Sequence, residues 1–210
     1  KKPKNSIQQW ARNLRYDFFK KIKKKQNLDF IVTAHHLNDQ LETFMINLSK
    51  ASGIKGLSGI PTNENEILRP LLSFSKDQIY FYARENNIEF REDLSNQKND
   101  YLRNEIRNEI VPQLLKINDH FLENFDKSLS YLKETRIFVD DQISKIEKEI
   151  VSQYERYITI ERQKFFAQSN YVQFEILRKF GFENSAELDK IRKATVGKIF
   201  VSAKNHLTVD

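Results

Sequence analysis

The stretch Asp29-Phe30-Ile31-Val32-Thr33-Ala34-His35-His36-Leu37-Asn38-Asp39-Gln40-Leu41-Glu42-Thr43-Phe44 decides the fold. Its first four residues are short and largely apolar, and read as a buried strand. From Leu41 to Lys50 the spacing is helical, with Leu41, Phe44, Met45 and Leu48 on one stripe. Gly53 stands where a C-terminal cap belongs. Two histidines, an asparagine and two carboxylates therefore gather where a strand hands over to a helix. In open α/β sheets that carboxyl edge is where ligands bind. Each residue also has a plainer use. Asp39 with Glu42 fits a capping box, the commoner use of such a pair, and His35 and His36 fit an ordinary turn. A zinc site is weakly supported: there is no cysteine, and the other two histidines, His120 and His206, are remote in sequence.

The 210 residues suggest one or two domains with room for a real core. Hydrophobic residues make up 39% and charged residues 30%, the balance of a globular chain. No apolar run approaches the roughly 20 residues a membrane span needs. Lys1-Lys2-Pro3-Lys4-Asn5 is basic, but no apolar stretch follows it as in a signal peptide. The lack of cysteine excludes disulfides and thiolate chemistry in these residues and fits the cytoplasm. The net charge of +6 gives a modest pull toward polyanions such as RNA.

Upstream, Ser6 with Gln9 forms a second capping box. Ile7, Trp10, Leu14 and Phe18 follow the helical period and are expected to face the core. Arg12 and Arg15, three apart, are either a solvated pair or an anion clamp. Lys20 to Lys25 reads first as a wet helix end, and second as an RNA-backbone contact. Downstream, Gly53, Gly56 and Gly59 are three of the chain's five glycines. Their loop can bring backbone amides close to a ligand, but it follows a helix, so it is no dinucleotide fingerprint. Arg69, inside the apolar run Ile67 to Leu72, calls for a carboxylate or phosphate partner. Ser75 starts a helix that ends at Asn86-Asn87, and Ile88-Glu89-Phe90 reads as a short strand. A polar loop, Glu92 to Asn96, leads to a stripe of Leu102, Ile106, Ile110 and Leu114. Arg103 and Arg107 lie four apart on its flank, with Asn104 beside them; surface salt bridges to nearby glutamates are their simplest use.

From about Ile117 the character changes. Leu122, Phe125, Leu129, Leu132, Val139, Ile143, Ile146 and Ile150 repeat at three-four spacing, with Arg136 in the one polar slot. That is one long amphipathic helix, about 45 Å for 30 residues, with a packing seam. Ile158 to Ile160 is extended, Phe165 to Phe180 is helical up to Gly181, and Asn184-Ser185 caps another helix. Lys198 to Ser202 and His206 to Val209 form a hairpin around Lys204-Asn205.

Taken together, His35-His36-x-x-Asp39-x-x-Glu42-Thr43 resembles the His-His-x-x-Asp-x-x-Glu-Thr segment of bacterial tRNA(Ile)-lysidine synthases, within the PP-loop ATP pyrophosphatase superfamily. Ala11-Arg12-x-x-Arg15-Tyr16, Arg69-Pro70-Leu71-Leu72, Glu92-Asp93-x-Ser95-Asn96 and Arg103-Asn104-x-Ile106-Arg107 with Pro112 are similar to further family segments. The family's Gly-Ser-Gly-x-x-Gly-Leu loop is matched by Ala51-Ser52-Gly53 to Leu57, with Ala51 in place of its first glycine. The resemblance is specific over residues 5 to 115 and looser beyond.

The resemblance implies an α/β fold: a Rossmann-like PP-loop ATPase domain with part of a parallel sheet over residues 1–115. A long linker helix and a mainly helical, tRNA-binding domain ending in a hairpin would follow over 116–210. It implies that ATP, with Mg2+, adenylates the C2 carbonyl oxygen of the wobble cytidine in a CAU anticodon, and that the amine of free L-lysine displaces AMP. Its partners would be tRNA(Ile) and lysine, with a homodimer left open. Asp39, Glu42, His35 and Arg12 would be the catalytic set, with Asp39 and Glu42 recognising the lysine ammonium or orienting its amine. His36, Arg15, Arg69, Arg103, Asn104 and Arg107 would bind nucleotide phosphates, the lysine carboxylate or RNA. None of these residues is read as a metal ligand. The family's Ser-Gly-Gly-x-Asp-Ser phosphate loop is not among the 210 residues. The expectation is a piece cut at both ends, with little turnover by itself. Three rivals stand beside this reading: a tRNA thiolase of the same superfamily, a non-catalytic RNA-binding module, and a structural helical protein.

Overall fold

The computed structural model describes residues 7–91, 102–202 and 205–209. Packing divides the chain into two compact units, Lys1–Glu134 and Thr135–Asp210. The Ser6–Gln9 capping box, the Glu92–Asn96 loop and Lys204 lie outside what is described.

In the first unit, α1 (Ile7–Lys25) leads to β1 (Ile31–Val32), α2 (Leu37–Ser49) and the short α3 (Ile54–Leu57). Then come β2 (Asn63–Glu64), β3 (Ile67–Leu68) and α4 (Lys76–Glu85). The sheet order is β1-β3-β2: β1 runs parallel to β3, and β2 antiparallel to it. The parallel pair is the α/β core that the sequence led us to expect. It is shorter than expected, and Phe30 and Val32 are half or more exposed. β1 pairs only with β3 among the described residues, so much of its surface is uncovered.

Helix α1 also departs from expectation. Trp10, Leu14 and Phe18 are exposed, while Ala11, Tyr16, Phe19 and Lys23 are half-buried. The helix carries two aromatic stripes, and the small sheet covers one; Lys23 pairs there with Glu66, next to β3. Helix α2 ends at the cap Lys50, with Ala51 at φ +54° in the left-handed position. Gly53 is therefore no C-cap; it is the N-cap of α3 at φ −73°. Leu48 is 51% exposed, so the α2 stripe stops at Met45 and Ile46. Helix α4 starts at a Ser75–Gln78 capping box, as its sequence indicates. Ile88–Phe90 is not a strand: the Ile88 N–H donates to the Ala83 carbonyl at 2.8 Å, and Phe90 stacks on Tyr80 with ring centroids 4.9 Å apart.

The next helical stretch shows how proline shapes packing. It runs as α5 (Leu102–Glu105), a π-helical turn (Ile106–Ile110) and α6 (Val111–Leu115). Pro112 has no N–H and its ring crowds the carbonyl four residues back, which a widened turn relieves. The wider turn shifts the inward positions by one residue. Ile106 and Val111 are buried, whereas Leu102 and Ile110, expected inside, are exposed. Leu41, Ile106 and Val111 form this unit's core, with Met45, Leu114, Leu122 and Phe125 packed on it.

The division between units falls inside α7 (Phe121–Ile150), whose expected seam is covered along its length. In the second unit, β4 (Val151–Gln153) pairs antiparallel with β5 (Ile158–Ile160). Helices α8 (Arg162–Ala167), α9 (Asn170–Lys179) and α10 (Ser185–Arg192) follow. The hairpin β6 (Ile199–Val201) and β7 (His206–Thr208) closes the unit. Its core is Ile143, Ile150, Phe165, Ile176, Leu177, Phe182, Leu188 and Ile191.

One glycine sets the geometry beside the site. Gly59 has φ +79°, and a Cβ there would lie 2.6 Å from Gln40 Oε1 and 3.1 Å from Leu129. Gln40 is 1% exposed and acts as a peptide surrogate: its Oε1 accepts from the Ile60 N–H at 2.6 Å, and its Nε2 donates to the Ile60 carbonyl at 3.1 Å. Gly59→Ala combines backbone strain with a clash, so we expect it to lower stability by about 2 kcal/mol. A urea melt followed by circular dichroism checks this; an unshifted midpoint contradicts it.

Candidate active site at the carboxyl end of the first strand

Because β1 and β3 are parallel, the residues that follow them emerge side by side. The Thr33 N–H donates to the Leu68 carbonyl at 3.0 Å, continuing the pairing to where His35 and Arg69 begin. The expected Asp39–Glu42 capping box is shifted: the N-cap of α2 is His36, whose backbone N–H donates to Asp39 Oδ2 at 3.0 Å. Asp39 is thus a capping residue at its helix N-terminus, where a carboxylate is favoured. Glu42, one turn on, is 1% exposed and takes no part in capping.

Two arginines some sixty residues away neutralise Glu42. Arg103 Nε donates to Glu42 Oε2 at 2.7 Å, and its Nη2 to Asp39 Oδ1 at 2.9 Å. Arg107 Nε donates to Glu42 Oε1 at 2.6 Å, and its Nη2 to Glu42 Oε2 at 3.0 Å and to Asp39 Oδ1 at 3.4 Å. Hydrogen bonding to Glu42 pushes the Arg107 pKa up, against the opposing effect of burial. The partners expected from spacing alone, nearby surface glutamates, give way to these two carboxylates. The i,i+3 pair on α2 meets the i,i+4 pair on α5 and the π-helical turn. Asn104 lies half-buried beside Arg103.

The histidines line the other side of Asp39. His35 Nδ1 is 2.9 Å from the Thr33 hydroxyl. Burial holds its pKa below the usual value; Asp39 opposes this, while Arg69, Arg12 and Arg103 add to it. That influence brings Arg12, Arg69 and Arg103 into the field of one imidazole. Burial lowers His36 too, against Asp39 and Glu42 and with Arg107 and Lys76. His36 Nδ1 is buried without a hydrogen-bond partner among the described residues. Both rings are neutral at pH 7, the state in which an imidazole can accept a proton.

Arg69 is 5% exposed and meets no carboxylate among the described residues: Nη1 donates to the Pro61 carbonyl at 2.7 Å, and Nε is buried without a partner among them. A neutral carbonyl does not compensate the charge of a buried guanidinium. Arg12 is exposed on α1, its guanidinium 4.8 Å from the centre of the Tyr16 ring. Arg15 is exposed on the same helix. In the glycine loop the N–H groups of Gly56, Leu57 and Ser58 close α3 on Gly53 and Ile54. Sequence reading missed Gln40 and gave no role to Asn38, whose Oδ1 accepts from the Lys76 N–H at 2.8 Å and joins α4 to the site. A buried amide beside Leu41, interrupting the apolar face of α2, was the available sign.

Four guanidiniums and two carboxylates make the site net positive, suited to an anion. Glu42 is committed to two arginines on both oxygens and does not fit a magnesium ion. No cluster of three or more acidic, histidine or cysteine groups able to hold a metal is present among the described residues.

Residues 1–114 match the PP-loop domain family. The chain belongs to that family. It is 41% identical over 152 residues to the tRNA(Ile)-lysidine synthase of Persephonella marina, covering 72% of this chain and 32% of that protein. It is 35% identical over 199 residues to the tRNA(Ile)-lysidine synthase of Haemophilus influenzae, covering 91% and 44%. Against the protein of the same name from Petrotoga mobilis the identity is 32% over 210 residues, covering 95% and 64%. The chain thus spans between about a third and under two thirds of the length of these relatives.

Two outcomes follow from the ion network and the histidines. Glu42→Gln leaves two guanidiniums against one carboxylate and should destabilise the fold by about 3 kcal/mol. A double-mutant cycle with Arg107→Gln in urea should give a coupling above about 1 kcal/mol; additive effects contradict the network. Both histidines are depressed from 6.5, so below that pH the unfolded chain binds more protons than the folded one. Stability should therefore fall as pH drops through about 6.5 and level off below the folded-state pKa values. His36→Gln should flatten that fall in urea midpoints; an equal slope in the variant contradicts the assignment.

Proposed function

We propose that this chain is part of a tRNA(Ile)-lysidine synthase. The observation that carries the reading is the Asp39–Glu42–Arg103–Arg107 quartet beside two neutral histidines at the carboxyl end of a parallel strand pair. The names of the relatives support it. On this reading the protein acts in the cytoplasm on tRNA(Ile) with a CAU anticodon, ATP and free L-lysine. No described helix is long and apolar enough to cross a membrane. Attack of the wobble cytidine C2 oxygen on the α-phosphorus of ATP releases pyrophosphate. The lysine amine then adds at C2, AMP leaves with the C–O bond electrons, and the amine proton passes to a base. His35, neutral and held by Thr33, is the base within the site. Arg69 and Arg12 hold the phosphate or the lysine carboxylate, and Arg15 extends that basic face. Asp39 Oδ1 is held by Arg103 at 2.9 Å and by Arg107 at 3.4 Å, and on this reading it exchanges the longer contact for the lysine ammonium. Glu42 stays as the anchor of both arginines, and His36 and Asn104 complete the wall. Mg2+ would accompany ATP on ligands other than Glu42, and assembly as a homodimer is compatible with this scheme.

The test uses the natural-length protein carrying these residues, with ATP, Mg2+, the tRNA and radiolabelled lysine. AMP release should require both tRNA and lysine. Asp39→Asn should lower lysine incorporation about 100-fold, chiefly through the KM for lysine, in protein that circular dichroism shows to be folded. AMP release that ignores lysine overturns the reading.

A further inference from the structure

The second unit contains a cleft of about 810 Å3 that the chemistry above does not use. The two hairpins, β4–β5 and β6–β7, form its sides, and the core rings of Phe165 and Phe182 reach its floor. At the tip of the first hairpin Tyr154 and Tyr157 stack on each other, with centroids 4.7 Å apart and planes at 22°. The Tyr154 N–H donates to the Tyr157 carbonyl at 2.9 Å, which fixes the tip. The two rings are nevertheless 51% and 60% exposed. A rigid ring pair with a free outer face is a surface on which a planar base stacks.

Positive charge stands beside it. Arg162 lines the cleft, and Arg162 and Arg192 flank the Phe166 ring at 5.8 and 5.7 Å. Arg162 Nη2 donates to the carbonyls of Arg192 and Ala194 at 3.3 and 3.1 Å. Arg192 Nη2 donates to Asn170 Oδ1 at 2.9 Å and Gln173 Oε1 at 3.1 Å. All four acceptors are neutral, so both guanidiniums are positioned without being neutralised. Arg156 lies between the two tyrosines in sequence and also lines the cleft; Glu155 is its acidic exception. Planar guanidinium groups suit phosphate oxygens, and aromatic rings interleaved with arginines suit single-stranded RNA.

We propose that this cleft captures an unpaired nucleotide of an RNA strand, its base on the Tyr154–Tyr157 pair and its phosphate on Arg162 and Arg156. The choice of RNA rests on the functional reading above. A free mononucleotide shares the chemistry, but a strand brings several phosphates to the separate arginines and gains from each.

The test measures fluorescence anisotropy of the 210-residue chain, without ATP or lysine, with a labelled single-stranded RNA of about 12 nucleotides and a matched duplex. Tyr157→Ala, at an exposed ring, should weaken single-strand binding about fivefold or more and leave the duplex nearly unchanged. Arg162→Gln should reduce the salt dependence by about one charge. Circular dichroism verifies that both variants fold, and Tyr154→Ala provides a second exposed probe. Unchanged single-strand affinity in both tyrosine variants overturns the proposal. So does an equal loss for strand and duplex, or displacement of the strand by AMP. If lysine-dependent AMP release is absent but the strand still binds through Tyr157, the cleft stands and the functional reading falls.

Discussion

A carboxylate that is 1% exposed must be neutralised, and Glu42 is neutralised by groups its own helix cannot supply. That constraint organises the first unit. Arg103 and Arg107 have to reach α2 from a segment some sixty residues later, so α5 and the π-helical turn lie across it. Once there, Ile106 and Val111 meet Leu41 and close the small core. The ion network adds little net stability compared with an apolar replacement, because desolvation offsets most of its attraction. What it contributes is register: two forked guanidiniums on two carboxylates one turn apart define one position for the crossing segment. A slide of one residue would leave Glu42 buried and unpaired.

The halves of this network were legible in the sequence, and their pairing was not. Asp39 and Glu42 stand out at i,i+3, and Arg103 and Arg107 at i,i+4. Local rules assign the first pair to a cap and the second to surface salt bridges, because spacing carries no information about partners sixty residues away. Only the family resemblance placed both in one site. Helix α7 was legible for the opposite reason: thirty residues of three-four spacing leave one face to bury. Helix α1 has two candidate stripes, and the choice between them was made by a sheet whose strands are two residues long. Such strands sit below what periodicity can detect. The π-helical turn was hidden as well, although Pro112 was visible, because the sequence does not say whether a proline ends a helix or widens it.

The same arrangement gives the site two electrostatic halves. Toward α5, two carboxylates face two guanidiniums and the charge is matched. Toward β3, Arg69 is buried with no carboxylate partner among the described residues and Arg12 stands nearby, both within the field of His35. Cationic neighbours and burial together keep that imidazole neutral. A neutral imidazole among cations is useful to a reaction in which an amine must lose a proton: the base is available at pH 7, and the surrounding charge favours the anion being formed or released.

The isolated chain therefore holds two unequal commitments. Glu42 is satisfied from both sides, so nothing entering the site can improve its position, and it serves as the hinge on which the arginines are hung. Among the described residues Arg69 is satisfied on one nitrogen only, by a carbonyl that offers no charge. An anion arriving next to it removes an existing electrostatic deficit and needs little rearrangement, because the guanidinium is already fixed by Pro61. Asp39 is intermediate: one oxygen is bound to its own helix, and the other is shared between two arginines at unequal distances. An ammonium that displaced the longer of those contacts would leave Arg107 still bound twice to Glu42. The cation can thus enter while the frame that positions it stays intact.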